Sequence, residues 1–314
     1  MKKKAKYRIR NWKEYNRSLC ERGSLTFWIS EELLSNWIEK EKTGERGASP
    51  CYTAAAMVAM ASLKFVFSQA GRQTCGLVAS IFQLLRVSLP VPDHSTLSRR
   101  MAGLKVRLPF KASGQGRHLV CDSTGLKVYG EGEWKVRTHG ISKRRTWRKL
   151  HLQMDEATHE IIVCGASENS VSDDEMFVRM LAANEEEIEQ ISADGAYDRR
   201  RVYQAIEERK IKRAAIPPRR GARIWRHGNR KGERLIRDEN LRCIRKKGKP
   251  KWKRESNYHR RSLAETAMFR YKTIFTDKLQ SRQIDNQFQE MIIKCAALNR
   301  MTHLGMPDSY KIAI

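Results

Sequence analysis

The chain has 314 residues, 40% of them apolar, which suits a large folded core and excludes a disordered polymer. It carries 62 Lys plus Arg against 35 Asp plus Glu, a formal charge of +27, so the expected partner is a polyanion, with duplex DNA first. No apolar run nears the ~18 residues of a transmembrane helix, and the seven cysteines form no Cys-x-x-Cys pair, so neither a membrane span, a zinc site nor a disulfide framework is expected.

Residues 1–50 read as a basic arm followed by a first helix. Lys2–Lys4, Arg8, Arg10, Lys13, Arg17 and Arg22 crowd the start, with no apolar stretch of the kind a signal peptide needs, which points to a reducing cytoplasm. Ser30 followed by Glu31 and Glu32 reads as a helix start, and 43–50 as a Gly-containing linker. Residues 51–112 read as a helical DNA-binding domain. An Ala- and Met-rich helix covers 52–68, Gly71 separates it from a second over 72–87, and Asp93 or Ser95 caps a third that carries Arg99 and Arg100. Three helices with a polar, Arg-bearing last one suggest a helix-turn-helix module, with Arg99 and Arg100 as DNA contacts.

From 117 the period changes. Arg117–Asp122 is a short apolar run ending in Asp, 149–154 and 160–164 make a hairpin, and 188–194 is a strand again ending in Asp. Helices at 173–183 and 199–210 and a strand at 213–217 complete an alternating pattern, so 113–314 is expected to hold a mixed α/β sheet. The segment 219–254 interrupts it with 16 Lys or Arg against three acids. Trp225 and Trp252 stand among those cations, as on a surface that tracks phosphates and stacks bases.

The next helix, 258–275, carries Tyr258, Arg261, Glu265 and Lys272. At about 100° per residue these fall near 0°, 300°, 340° and 320°, one narrow stripe beside an apolar face. Alone, Arg261 and Glu265 are an ordinary i,i+4 surface pair worth about 0.2–0.5 kcal/mol, and a lone Asp at a strand end is most simply a turn cap. Together, Asp122, Asp194 and Glu265 are three carboxylates able to hold Mg²⁺ through oxygen while leaving positions for substrate phosphate. Two such ions suit an in-line phosphoryl displacement.

Asp122-Ser123-Thr124-Gly125-Leu126-Lys127, Asp194-Gly195-Ala196-Tyr197-Asp198 and the Tyr-x2-Arg-x3-Glu-x6-Lys run at 258–272 resemble the three signature blocks of DDE transposases of bacterial insertion sequences. Asn11-Trp12, Arg22–Trp28, Lys143–His151 and Ala297–Met301 are similar to the insertion-sequence-five family. The resemblance implies an RNase H-like catalytic core with Asp122, Asp194 and Glu265 as catalytic metal ligands. Two Mg²⁺ are implied, Mn²⁺ being a substitute. It implies that Tyr258, Arg261 and Lys272 hold DNA phosphates near the cut. The implied partners are terminal inverted repeats and target DNA, handled by a homo-oligomer at the bacterial nucleoid. A helix-turn-helix protein without activity and an RNase H-like nuclease that only hydrolyses are the competing readings.

Overall fold

The computed structural model describes residues 6–41, 51–128, 147–226 and 234–312. The expected linker at 43–50, Lys2–Lys4, the stretch 143–146 of the basic motif, and Arg230 with Lys231 lie outside the described residues. The chain divides into two compact units, one made of residues 1–109 and 296–314, the other of 110–295. The boundary expected at 112/113 thus lies close to 109/110, while the segments 1–50 and 51–112 fall in one unit together with the last stretch of the chain.

In the first unit, strand β1 (Lys6–Ile9) is followed by helices α1 (Trp12–Glu21), α2 (Leu25–Trp28) and α3 (Glu31–Ser35). Ser30 caps α3 by accepting the Leu33 N–H, as its sequence context predicts. Helices α4 (Ala54–Val66), α5 (Gly71–Leu84) and α6 (His94–Met101) follow. Thr53 and Asp93 cap α4 and α6, accepting the N–H of Ala56 and Ser95. The expected division at Gly71 is corrected. The break runs over 67–70, with Ser68 in the left-handed region at φ 52°, and Gly71 opens α5. Its missing Cβ would stand 3.2 Å from the His94 Cβ, so glycine there lets α5 approach the start of α6. Helices α4 and α5 meet at 111°, within the range of a helix-turn-helix pair. Trp37 anchors the core of this unit, fully buried, edge-on to Phe82 at 5.0 Å and donating its indole N–H to Pro90 O at 2.9 Å.

The second unit is built on a mixed sheet. Its strands are β2 (Arg117–Val128), β3 (Trp147–Asp155), β4 (Ile161–Glu168), β5 (Ile188–Ser192) and β6 (Arg213–Ala215), in the order β4-β3-β2-β5-β6. The first three pair antiparallel, while β5 and β6 run parallel to β2. Helix α7 (Asp173–Ala183) packs on β4, where a Cβ at Gly165 would meet Met176 Cε at 2.7 Å. A short 3-10 turn (Gly195–Tyr197) and helix α8 (Arg200–Glu208) join β5 to β6. Leu119, Cys121, Ile162, Phe177, Ile191, Tyr203 and Ile206 share the core between sheet and helices.

The basic stretch folds in part as helices α9 (Ile236–Lys247) and α10 (Lys249–Glu255). A 3-10 turn (Tyr258–Arg261) then leads into helix α11 (Ser262–Phe275). Strand β7 (Lys278–Leu279), paired with β2, helix α12 (Ile284–Leu304) and strand β8 (Ser309–Ile312) finish the chain. Among the described residues no single helix is long and apolar enough to cross a membrane.

Candidate active site

Asp122 does not end its strand. β2 continues to Val128 because β3 keeps pairing it as far as Lys127↔Trp147, so Ser123-Thr124-Gly125 continues the strand that was expected to end at Asp122. Its neighbour β5 stops earlier. The last parallel pair is Val120↔Ser192, so Asp122 stands where β2 has lost that partner. On the same side of the sheet, β5 gives way to Ala193 and Asp194. Asp194 caps the 3-10 turn, its Oδ1 accepting the Ala196 N–H at 2.8 Å.

The third carboxylate comes from α11. Tyr258 and Arg261 sit in the 3-10 turn before it, where residues three apart eclipse, so the stripe survives the change of helix type. The turn starts from Asn257 at φ 54°. It is tied down twice: Gln190 on β5 donates to Ser256 O at 2.7 Å, and Arg260 donates to Glu156 Oε2 at 2.5 Å and Glu156 O at 3.1 Å. Those ties place Arg261 between two carboxylates. Its Nη1 donates to Asp122 Oδ2 at 3.1 Å, and its Nη2 donates to Glu265 Oε1. Asp122 and Arg261 are 17% and 19% exposed at the side chain, whereas Glu265 is 56% exposed.

The electrostatics follow from that arrangement. Burial raises the Asp122 carboxyl above its usual range; the Ser123 N–H and Arg261 oppose this, while the charges of Asp194 and Glu265 add to it. Burial likewise raises the Tyr258 phenol, against the pull of Arg261, and Asp194 and Asp122 push it further. Asp122, Asp194, Glu265, Tyr258 and Arg261 therefore act on one another. Lys272 lies two turns beyond Glu265 on α11, half-buried.

Oxygen donors of this kind suit a hard divalent cation, and the guanidinium shared by Asp122 and Glu265 shows that a positive charge fits between them. The described residues nevertheless contain no group of three His, Cys, Asp or Glu close enough to hold one ion. Two carboxylates are drawn to Arg261, and Asp194 is held by its own turn.

The other expected DNA-binding residues fare differently. Trp252 offers no stacking face: it is 2% exposed, donates its indole N–H to Asn240 Oδ1 at 3.0 Å, and lies 5.5 Å from the Tyr258 ring, which it supports from behind. Trp225 is half-buried among cations. The Arg237 guanidinium lies 3.8 Å from its ring centroid and that of Arg200 5.1 Å, with Tyr203 edge-on at 5.6 Å. Arg100 donates to Tyr52 O at 2.5 Å and so ties α6 to the start of α4, while Arg99 is exposed. Both belong to the first unit.

One cluster has no signal in the sequence. Arg237, 3% exposed at the side chain, donates to Asp198 Oδ1 at 2.7 Å and Asp238 Oδ1 at 3.2 Å, and both carboxylates are buried. Asp238 also accepts the Trp225 and Arg226 N–H groups, and Asp198 accepts that of Arg219. The start of the basic segment is thereby fastened behind the turn that carries Asp194. By its sequence context Asp198 reads as a helix start, and nothing in the spacing marks it as one arm of a buried triad.

Among solved structures the chain is similar to the piggyBac transposase synaptic complex with hairpin DNA. It is 14% identical, with 90% of this chain and 73% of that one covered, and its TM-score of 0.44 makes it a distant likeness. Two family models, each described as a transposase DDE domain, match residues 20–131 and 113–300. The second spans more than half of the sequence and contains all three carboxylates, and the chain belongs to the transposase DDE domain family.

Proposed function

We propose that this transposase binds the terminal inverted repeats of a bacterial insertion sequence, cuts beside them to release a 3′-hydroxyl, and joins that end to target DNA. Asp122, Asp194 and Glu265 are its catalytic carboxylates. The carrying observation is that Asp122 on β2 and Glu265 on α11, far apart in sequence, converge on the single guanidinium of Arg261, beside Asp194. The sheet order, three antiparallel strands followed by two parallel to the first, supports an RNase H-like core. The steeply crossed α4–α5 pair supports a helix-turn-helix-like domain before it. The motifs favour the insertion-sequence-five family, with the two element ends handled by a homo-oligomer in a bacterial cytoplasm.

Asp122, Asp194 and Glu265 would hold a divalent cation such as Mg²⁺ once Arg261 gives up its two carboxylates, and the cation would supply Lewis-acid stabilisation and a more acidic attacking hydroxyl. The side chains do the rest. Arg261 exchanges its carboxylate partners for a DNA phosphate, which it can grip bidentately. Lys272 adds a point charge further along the same helix. Tyr258, a neutral phenol whose pKa burial pushes further up, donates a hydrogen bond and is braced by Trp252. With Glu265→Gln, a labelled duplex carrying the element end should remain bound and uncut in Mg²⁺. Near-normal cutting by that variant would overturn the assignment. A precut end with a 3′-hydroxyl tests joining separately, since absence of joined product would leave only a hydrolase.

A further inference from the structure

We propose that the two-stranded ribbon β1–β8 is a duplex-DNA-binding element that enters the major groove. The inference rests on the DNA-binding part of the function proposed above, and names a surface which that reading does not assign. Strands Lys6–Ile9 and Ser309–Ile312 pair antiparallel with Tyr7 opposite Lys311 and Arg8 opposite Tyr310. Among the described residues no third strand joins them. Alternation sends neighbouring residues to opposite faces. One face therefore carries Tyr7 and Lys311, and the other Arg8 and Tyr310, a tyrosine and a cation on each.

Both faces meet solvent. Tyr7 is 63% exposed and Tyr310 37%, and Arg8, Arg10, Ser309 and Lys311 are exposed, while Ile9 and Ile312 are half-buried. An isolated two-stranded ribbon is marginal in water, so this one is held at its root. The Arg10 N–H donates to Asp308 O at 2.7 Å, Asn11 Oδ1 accepts the Asp308 N–H at 2.7 Å, and Asn11 Nδ2 donates to Met306 O at 3.0 Å. Arg10 lies 5.1 Å over the Tyr310 ring. A ribbon fixed at its base, with exposed polar side chains on both faces, presents them to a partner. Neither face is apolar, so a membrane surface is a poor fit. Two strands side by side match the ~12 Å major groove, where cations reach phosphates and tyrosines meet base edges and phosphates.

The test uses the full chain and a fluorescein-labelled mixed-sequence duplex, titrated by anisotropy over a salt series. In Arg8→Gln/Arg10→Gln/Lys311→Gln the slope of log K against log salt should fall by about 0.9 for each phosphate that is no longer neutralised. In Tyr7→Ala/Tyr310→Ala the affinity should fall severalfold with the slope unchanged, and Tyr→Phe at both positions should restore part of it. Methyl green, which occupies the major groove, should be displaced by the wild type and poorly by either variant, while netropsin in the minor groove stays. Circular dichroism and thermal unfolding report whether the variants fold. If the wild type binds the duplex and both folded variants match it in affinity and slope, the proposal is overturned. Displacement of netropsin in place of methyl green overturns the groove assignment. Polyglutamate competing as well as DNA for the wild type, but not for the variants, overturns DNA in favour of an acidic protein. A wild type that binds no DNA at all sinks the functional reading instead.

Discussion

Arg261 holds two carboxylates with one guanidinium, and the consequence is competition. A cation that binds Asp122 and Glu265 must first displace a charge-assisted bond of about 1.5–3 kcal/mol. Arg261→Gln should therefore bind Mn²⁺ roughly tenfold more tightly in calorimetry, yet cut DNA more slowly because a phosphate grip is lost. Unchanged Mn²⁺ affinity would show that the guanidinium does not guard the site. His151 makes a second prediction. It is buried in β3 with Nε2 2.8 Å from Ser167 Oγ, and burial lowers its pKa to about 4. Burial lowers those of His118 and His159 as well. A histidine kept neutral by the fold leaves the folded state short of a proton that the unfolded chain binds, so its contribution to stability is present above pH 6.5 and lost as pH falls toward the folded pKa. The shift from 6.5 to about 4 corresponds to roughly 3 kcal/mol for His151. Urea midpoints measured between pH 7 and pH 4 should fall, and His151→Gln should flatten part of that fall.

At the scale of elements, the buried triad Asp198–Arg237–Asp238 secures α9 against the turn after Asp194. Arg237→Met would strand two buried carboxylates and should cost about 3–5 kcal/mol, read as a large drop in urea midpoint. A triple change that also makes both acids amides should recover much of it. This triad is not legible in the sequence, because a charge run in 219–254 gives no sign of which arginine is inside. The same limit hides the fate of Trp225 and Trp252: composition names the side chain, but α9 and α10 decide that one is clamped by arginines and the other buried. The stripe of Tyr258, Arg261 and Glu265 is legible because helical spacing is written directly in residue intervals, and the 3-10 turn keeps the i,i+3 alignment. The extent of β2 is not, since Ser123-Thr124-Gly125 is polar and contains glycine; pairing with β3, a tertiary contact, carries the strand through it.

Over the whole molecule the excess of 27 positive charges dominates association. Duplex affinity should fall steeply with salt, with a slope of roughly −0.9 per phosphate contacted. Anisotropy over a salt series checks this, and a flat response would contradict a phosphate-tracking role for the cations of α9 and α10. The division into units is only partly readable. The switch from helical to alternating periodicity near 117 marks the second unit, whereas the return of 296–314 to the first depends on β1 meeting β8.

That return has a consequence for how the protein is made. Ile9 pairs with Ser309, so the first unit stays incomplete on the ribosome until the last stretch emerges. At about 5–20 residues per second that wait is roughly 15 s to a minute. The second unit, continuous from 110 to 295, has all of its strands and all three carboxylates out earlier. The order of synthesis thus lets the second unit fold first and leaves β1 unpaired while residues 10–308 are made. Nascent chains stalled before residue 296 should then show a protease-resistant second unit beside a sensitive N-terminal segment.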